Sequence, residues 1–158
     1  MKLIEATDAD FAELIEGRAP HGLQLPPEGV ERKEVLVMLR GDLARAIRAV
    51  FTPASWMMVE AEEIVGLCSI VKAPSDQGVD IGYGISPGRR RSGLATAGVR
   101  ALVAWGQGDD RVRSIRAETS IDNIPSQRVL QSNGFERIGG RFDEEDGELI
   151  SWRIATAN

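Results

Sequence analysis

The sequence predicts a fold of the α/β or α+β class, in which helices pack on a mixed and mostly antiparallel sheet. Three observations lead to this prediction. Apolar residues in the first quarter of the chain recur mainly at helical spacing. Three successive strand patterns separated by polar or Pro/Gly turns follow. Strand and helix patterns then alternate before a closing hairpin, which argues against an all-parallel sheet.

The amino-terminal quarter is predicted to be one strand followed by helices. Lys2 to Ala6 has the pattern of a strand, and Thr7 is a suitable N-cap for a helix that runs to about Glu16. The prolines and glycines from Ala19 to Gly29 predict a surface loop that could border a substrate pocket. Glu31 to Phe51 has helical spacing with a shared apolar face. That face consists of Val35, Leu36, Leu39, Leu43, Ala46, Ile47 and Val50.

The middle of the chain predicts an antiparallel meander of three strands. Their ranges are Trp56 to Glu60, Glu63 to Val71 and Val79 to Ile85. The third strand alternates apolar residues with small or acidic ones, among them Gly82 and Gly84. Two glycines inside one strand predict either a β-bulge or the close approach of another group to the backbone.

The last third of the chain predicts two helices and three strands. A helix with a small-residue apolar stripe begins after Gly93, and Arg113 to Thr119 is the next strand. Pro125 is tolerated in the first turn of the following helix. Two strands, Glu136 to Phe142 and Glu148 to Ile154, close the chain as a hairpin.

Composition narrows the class of protein. The 158 residues are most simply one domain covering 1–158, with 42% hydrophobic and 27% charged residues. A formal net charge of −5 argues against a general nucleic-acid binder. Cys68 is the only cysteine, so an intrachain disulfide and a cysteine-based zinc cluster are excluded, and a buried inert thiol is expected. No signal peptide or membrane span is apparent, which predicts a cytoplasmic protein without a membrane partner.

The segment from Ile85 to Thr96 predicts a phosphate-binding loop. A strand pattern leads into a loop with three consecutive arginines, and a helix pattern follows directly. Backbone N–H groups at the start of a helix lack intrahelical partners and carry the positive end of the helix dipole. Gly93 permits close approach of a ligand, and Ala95 keeps the next turn open. The loop has neither the P-loop ending nor the three glycines of a dinucleotide-binding turn.

Two motifs carry a resemblance to a known family. Arg90-x-x-Gly93-x-Ala95 resembles the Arg/Gln-x-x-Gly-x-Gly/Ala signature of the GCN5-related N-acetyltransferases (GNAT). The block from Glu118 to Phe135 resembles the second characteristic block of that family, an Asn-x-x-Ser/Ala helix that closes with Gly-Phe. The branch with the ribosomal-protein N-terminal acetyltransferases and their small-molecule relatives is the most similar.

The resemblance implies a GNAT-like fold and an acetyl-coenzyme A site. The sheet would splay open around the donor, between the strand Val79 to Ile85 and the strand Arg113 to Thr119, with about four flanking helices. No metal is implied. The residues that the resemblance assigns to the donor are Tyr83, Gly84, Ile85, Arg90, Arg91, Ser92, Gly93, Leu94, Ala95, Thr96, Asn123 and Ser126.

The implied activity is transfer of an acetyl group to a primary amine by direct attack in a ternary complex. An alkylamine is protonated at neutral pH, since its pKa is about 10.4, so a base must take its proton. The resemblance favours Glu118 as that base, with Asp80 as the second choice. A solvated carboxylate at a strand end is the alternative interpretation of each.

The remaining catalytic groups follow from the resemblance. The backbone N–H of Ile85 would stabilise the oxyanion. Leu130 stands where the family usually has a tyrosine acid, so Ser126 or a water would replace it, or the thiolate would leave unaided. Asn123 would bind the pantetheine arm and cap its helix as well. His21, the only histidine, is expected to be a surface or loop-anchoring residue.

Alternatives remain open at this point. The absence of the tyrosine allows a non-catalytic acyl-coenzyme A sensor. A basic loop that binds nucleic acid or anionic lipid is a further class, favoured only if binding depends strongly on salt. The acceptor amine could be a protein N-terminus, an amino acid, a polyamine or an aminoglycoside-like compound. The sequence also leaves open whether the chain forms a homodimer.

Overall fold

The computed structural model describes residues 1–157, which form a seven-stranded sheet with five α-helices. In chain order the elements are β1 (Lys2–Glu5), α1 (Asp8–Ile15), α2 (Lys33–Arg40), α3 (Asp42–Val50), β2 (Ser55–Glu60), β3 (Glu63–Ile70), β4 (Val79–Ile85), α4 (Leu94–Gln107), β5 (Ser114–Ser120), α5 (Ile124–Ser132), β6 (Glu136–Asp143) and β7 (Gly147–Ala155). Short 3₁₀ turns lie at Pro20–Gly22 and Pro87–Arg89.

The sheet is mixed and mostly antiparallel, as predicted. Its strand order is β1-β2-β3-β4-β5-β7-β6, and β4 with β5 is the one parallel pair among residues 1–157. That pair extends only from Val79 opposite Ile115 to Ile81 opposite Ala117. Beyond Ile81 the two strands are no longer paired, so the sheet is open at the end of β4. The splayed sheet inferred from the resemblance is therefore confirmed, with five helices instead of about four.

The two faces of the sheet carry different helices. Side chains alternate between the faces along β4. Val79, Ile81 and Ile85 belong to a core cluster that includes Val99 and Leu102 of α4. A second cluster lies on the other face, where residues from α1 and α2 pack against β2 and β3; its members include Phe11, Leu36, Met57 and Leu67. The opening of the sheet therefore lies between two packed layers. One layer contains α4, and the other contains α1 and α2.

One prediction about local structure is corrected, and one pair of alternatives is resolved. The continuous helical face from Glu31 to Phe51 is interrupted, because Gly41 leaves the helical conformation (φ −69°, ψ −161°) and separates α2 from α3. As a result Leu36 and Ile47 are buried, whereas Leu43 and Val50 are 56% and 75% exposed.

The β-bulge predicted from the glycines of β4 is also absent there. The register between β3 and β4 is continuous, and the register shifts lie between Met58 and Val59 and between Arg137 and Gly139. Close approach is the correct explanation of the small residues. A Cβ atom on Gly82 would lie 3.2 Å from the side chain of Val71, and Gly84 has a carboxylate beside it.

None of the helices within residues 1–157 has both the length and the apolar character required to span a membrane.

Candidate active site

The start of α4 forms a cradle of backbone N–H groups at the end of β4. Gly93 has a left-handed conformation (φ +78°), and no atom lies within 4 Å of the Cβ position it lacks. The first intrahelical hydrogen bond runs from the N–H of Ala97 to the Gly93 carbonyl at 3.1 Å. The N–H groups of Leu94, Ala95 and Thr96 therefore have no intrahelical acceptor. These groups border a cleft of about 550 Å³.

The three arginines of the loop differ in their roles. Arg89 makes a two-pronged ion pair with Glu63, at 2.6 and 3.0 Å, which fixes the loop to β3. Arg90 donates from Nε to the carbonyl oxygen of Ile85 at 3.2 Å, so its guanidinium lies across the end of β4. Arg91 is exposed and has a left-handed φ of 65°. The Ser92 hydroxyl donates to the Arg89 carbonyl at 2.7 Å and stabilises the turn.

The backbone of β4 presents polar groups to the opening of the sheet. The Asp80 carbonyl accepts from Val71 at 2.9 Å, and the N–H of Ser86 donates to Val65 at 2.8 Å. Because backbone groups alternate between the two edges of a strand, the N–H groups of Tyr83 and Ile85 point away from β3. Pairing with β5 ends at Ile81, so these two groups face the opening.

A pair of hydroxyl groups lies on the wall of the same cleft. The Tyr83 hydroxyl and the Ser126 hydroxyl are 2.7 Å apart, which joins β4 to the first turn of α5. Burial raises the pKa of the Tyr83 phenol, which therefore stays protonated at neutral pH. Asn123 accepts from the Ser126 N–H at 3.2 Å, so its predicted capping role is confirmed. Leu130 is fully buried in the core and contributes nothing to the cleft.

The sequence alone did not identify the hydroxyl pair, since the partner of Tyr83 depends on how α5 packs beside β4. A similar tertiary contact joins the two helices of the site. Asn133 donates from Nδ2 to the carbonyl oxygen of Thr96 at 3.2 Å, which connects the end of α5 to the first turn of α4.

The two carboxylates predicted as bases lie in a second cleft, on the opposite face of the sheet. This cleft has a volume of about 360 Å³ and its lining includes Asp80, Gly82 and Glu118. Arg141 binds both oxygens of Glu118, at 2.7 and 2.9 Å, and this ion pair lowers the pKa of the Glu118 carboxyl. Asp80 lies 3.4 Å from the ammonium of Lys72. Both predicted carboxylates are therefore ion-paired.

Glu31 is a third carboxylate at the opening, and the sequence analysis did not select it. Its Oε2 lies 3.7 Å from the position that a Cβ on Gly84 would occupy. The other oxygen accepts the N–H of Arg32 at 2.8 Å, and no ion pair involves Glu31 among residues 1–157. The Ser86 hydroxyl donates to the Gly29 carbonyl at 2.7 Å, which holds the loop before Glu31 against the end of β4. The loop from Ala19 to Gly29 thus contacts the end of β4, and its place at the border of a substrate pocket stays a prediction.

Two other residues have structural positions. His21 Nε2 lies 3.0 Å from a carboxylate oxygen of Asp10, so it anchors the loop after α1 as expected. Cys68 is buried, and burial raises the pKa of its thiol, as expected for an inert cysteine. Within residues 1–157 no cluster of three or more His, Cys, Asp or Glu side chains is arranged to hold a metal ion.

The family model described as an acetyltransferase (GNAT) domain matches residues 1–136 of this chain. An uncharacterised N-acetyltransferase of Bacillus subtilis, YjdG, is 31% identical over 105 residues, which are 65% of this chain and 60% of the relative. The chain thus matches less than two thirds of that relative's length.

Two solved structures show the same fold. The ribosomal L7/L12 α-N-protein acetyltransferase RimL in complex with coenzyme A has a TM-score of 0.70, with 16% identity over 97% of this chain and 92% of that one. The aminoglycoside acetyltransferase AAC(6')-Ib in complex with ribostamycin and coenzyme A has a TM-score of 0.68, with 19% identity over 98% of this chain and 92% of that one.

Proposed function

This chain belongs to the GNAT family, and we propose that it is an acetyltransferase that transfers the acetyl group of acetyl-coenzyme A to a primary amine by direct attack in a ternary complex. The observation that carries the proposal is the cradle at the start of α4, beside a strand whose N–H groups face an open sheet. The cradle suits a diphosphate, because three N–H groups and the helix dipole favour negative charge there. Coenzyme A is bound in the two structures described above.

The acyl group would lie at the end of β4. The N–H of Ile85 is in position to donate to the thioester oxygen, and the bond strengthens as that oxygen becomes an oxyanion. The carbonyl oxygen of Ile85 already accepts a hydrogen bond from Arg90. Ile85 therefore presents its N–H to the acyl group without a free carbonyl beside it. Asn123 keeps its Nδ2 group available for the pantetheine arm while Oδ1 caps α5.

The acceptor amine would approach from the opposite face, where the carboxylates lie. Glu31 is the carboxylate we favour for taking the amine proton, because it lies over Gly84 and no cation competes for it among the described residues. Glu118 and Asp80 remain the candidates predicted from the sequence. The Arg141 ion pair makes Glu118 a weaker base, since a lowered pKa means a lower affinity for the proton. Either carboxylate can also orient the acceptor.

The departing thiolate would receive a hydrogen bond from the hydroxyl pair. Ser126 and Tyr83 carry one hydroxyl hydrogen each. One of these hydrogens lies in the bond between the two hydroxyls, so the other is available to the sulfur. A thiolate with a pKa near 8.5 leaves readily, so this contribution is smaller than that of the base. Ser126→Ala and Tyr83→Phe would each lower kcat by less than about tenfold.

The proposal is tested by titrating acetyl-coenzyme A calorimetrically and by measuring thiol release over a panel of amines. No binding at high micromolar concentration would contradict the proposed function. Glu31→Gln, Glu118→Gln and Asp80→Asn are then compared, with Glu34→Gln as the matched control on the exposed side of α2. Loss of the base lowers kcat on the order of 10²-fold with little effect on donor affinity, and the loss shrinks at high pH.

The pattern of losses identifies the base. A 10²-fold loss in Glu31→Gln, with the Glu34 control within twofold, supports Glu31. The same loss in Glu118→Gln, with Glu31→Gln near the parent, assigns the proton to Glu118 instead. The non-catalytic sensor is the second candidate, because Leu130 replaces the expected tyrosine. It requires donor binding without thiol release for every amine tested.

A further inference from the structure

Two of the cations that line the second cleft are paired with carboxylates of the described residues, and Arg116 is not. Three cations, Lys72, Arg116 and Arg141, line the cleft with two carboxylates. Lys72 pairs with Asp80, and Arg141 pairs with Glu118 and Asp143. No ion pair involves Arg116 among residues 1–157, although its side chain is exposed at the rim.

A second arginine stands directly opposite Arg116. The register of β5 and β7 places Arg153 across from it, so the two side chains project from the same face. No ion pair involves Arg153 either among the described residues. On their other sides Arg116 faces Asp80, which already pairs with Lys72, and Arg153 faces Glu136 of β6. With Lys72 this row of the sheet holds three cations and two carboxylates, and a bound anion would balance the remaining positive charge. Arginine offers a forked set of donors that matches a carboxylate.

The distribution of charge along the cleft has a direction. Arg116 lies opposite Asp80, four residues before Gly84 on β4. Since a strand rises about 3.3 Å per residue, the two rows are about 13 Å apart along the sheet. Glu31 lies at the row of Gly84, near the reacting carbonyl. The row near the reacting carbonyl therefore has a carboxylate, and the far row has one cation in excess of its carboxylates.

We propose that the acceptor is an amine that also carries a carboxylate, and that Arg116, with Arg153 beside it, binds that carboxylate. The proposal rests on the proposed function, because the amine must lie at the opening of the sheet. An extended chain spans about 3.5 Å per residue, so three residues or an equivalent linker cover about 10 Å, and an acidic side chain on the third residue covers the remaining distance to Arg116. Polyamines and aminoglycosides are disfavoured, because their cations would meet these arginines.

The test compares three tripeptide amides that differ only in the last residue, which is glutamate, glutamine or lysine. With the native enzyme and acetyl-coenzyme A, kcat/KM for the glutamate peptide exceeds that for the glutamine peptide by tenfold or more. The lysine peptide is the poorest. Raising the salt concentration lowers the ratio, because the arginines are partly exposed.

Arg116→Gln brings the glutamate-to-glutamine ratio close to one, and Arg116→Glu shifts the preference toward the lysine peptide. Arg100→Gln is the matched control, since Arg100 is an exposed arginine on α4 and lies outside both clefts. This control leaves the ratio unchanged. A glutamate tripeptide with a free carboxyl terminus separates the two possible anions, a side chain and a main-chain carboxylate.

Equal kcat/KM for the glutamate and glutamine peptides in the native enzyme would overturn the inference. So would a ratio that Arg116→Gln does not change, or efficient turnover of spermidine with none of the acidic peptide. In that last case the acetyltransferase activity is intact and only the acceptor class is wrong. Absence of thiol release with every amine, despite donor binding, contradicts the proposed function itself.

Discussion

Gly93→Trp is expected to abolish binding of acetyl-coenzyme A through a steric effect in the cradle. The indole would occupy the open space beside the Gly93 Cα, in front of the N–H groups of Leu94, Ala95 and Thr96. A hydrogen bond to a charged group contributes about 1.5–3 kcal/mol. Loss of two such bonds costs about 3–6 kcal/mol, so the Kd rises by at least about 10²-fold.

The left-handed backbone at this position adds a separate effect on stability. A side chain at positive φ costs about 1–2 kcal/mol, which lowers the Tm of a domain of this size by about 2–8 °C. Gly17 provides a matched control. It has the same φ of +78° and also has no atom within 4 Å of its Cβ position, but it follows α1 and lies outside the cleft.

Calorimetric titration and thermal unfolding are measured on Gly93→Trp and Gly17→Trp together. Both variants lose a similar amount of thermal stability, and only Gly93→Trp loses donor affinity. A Kd within threefold of the parent in a folded Gly93→Trp protein would show that this loop is an ordinary turn. Equal loss of affinity in both variants would assign the effect to backbone strain or to global destabilisation.

Three further predictions concern residues around the opening. Arg90→Ala should raise the Kd for acetyl-coenzyme A about tenfold in the same titration, less than Gly93→Trp, because the backbone donors remain; an unchanged Kd would contradict a role in donor binding. Glu118→Gln should lower the Tm at neutral pH, and the deficit should shrink as the pH falls below 4.5, since a carboxyl whose pKa is lowered by Arg141 stabilises the fold above its usual value of 4.5 and loses that effect as it is protonated. A deficit independent of pH would refute this. Leu130→Tyr should destabilise the protein by about 1–3 kcal/mol in chemical denaturation without raising kcat, because position 130 is in the packed core; a higher kcat would show that the phenol reaches the sulfur.

Patterns that repeat along the sequence predicted the sheet and the start of α4 well. β4 runs from Val79 to Ile85 as predicted, because strict alternation identifies a strand buried on one face. The start of α4 after Gly93 followed from the same local signals. The break at Gly41 was missed, since apolar spacing continues through it and only the backbone conformation shows that the helix ends.

The surroundings of the carboxylates near the opening of the sheet could not be derived from local patterns. Glu31 reaches Gly84 because the Gly29 carbonyl binds Ser86, a contact between segments far apart in the chain. Glu118 was selected by its place before Asn123, but its ion pair with Arg141 depends on how β6 and β7 fold beside β5. Such contacts depend on tertiary packing, which spacing in one sequence does not encode.

The contact between Tyr83 and Ser126 offers a spectroscopic probe of the site. Tyr83 is the only tyrosine in the chain, and it lies on the wall of the cleft at the start of α4. Biosynthetic incorporation of fluorotyrosine would therefore give a single fluorine resonance without mutagenesis. Its chemical shift would respond to the occupancy of the cleft, and its line width would report exchange between the free and bound forms in a titration.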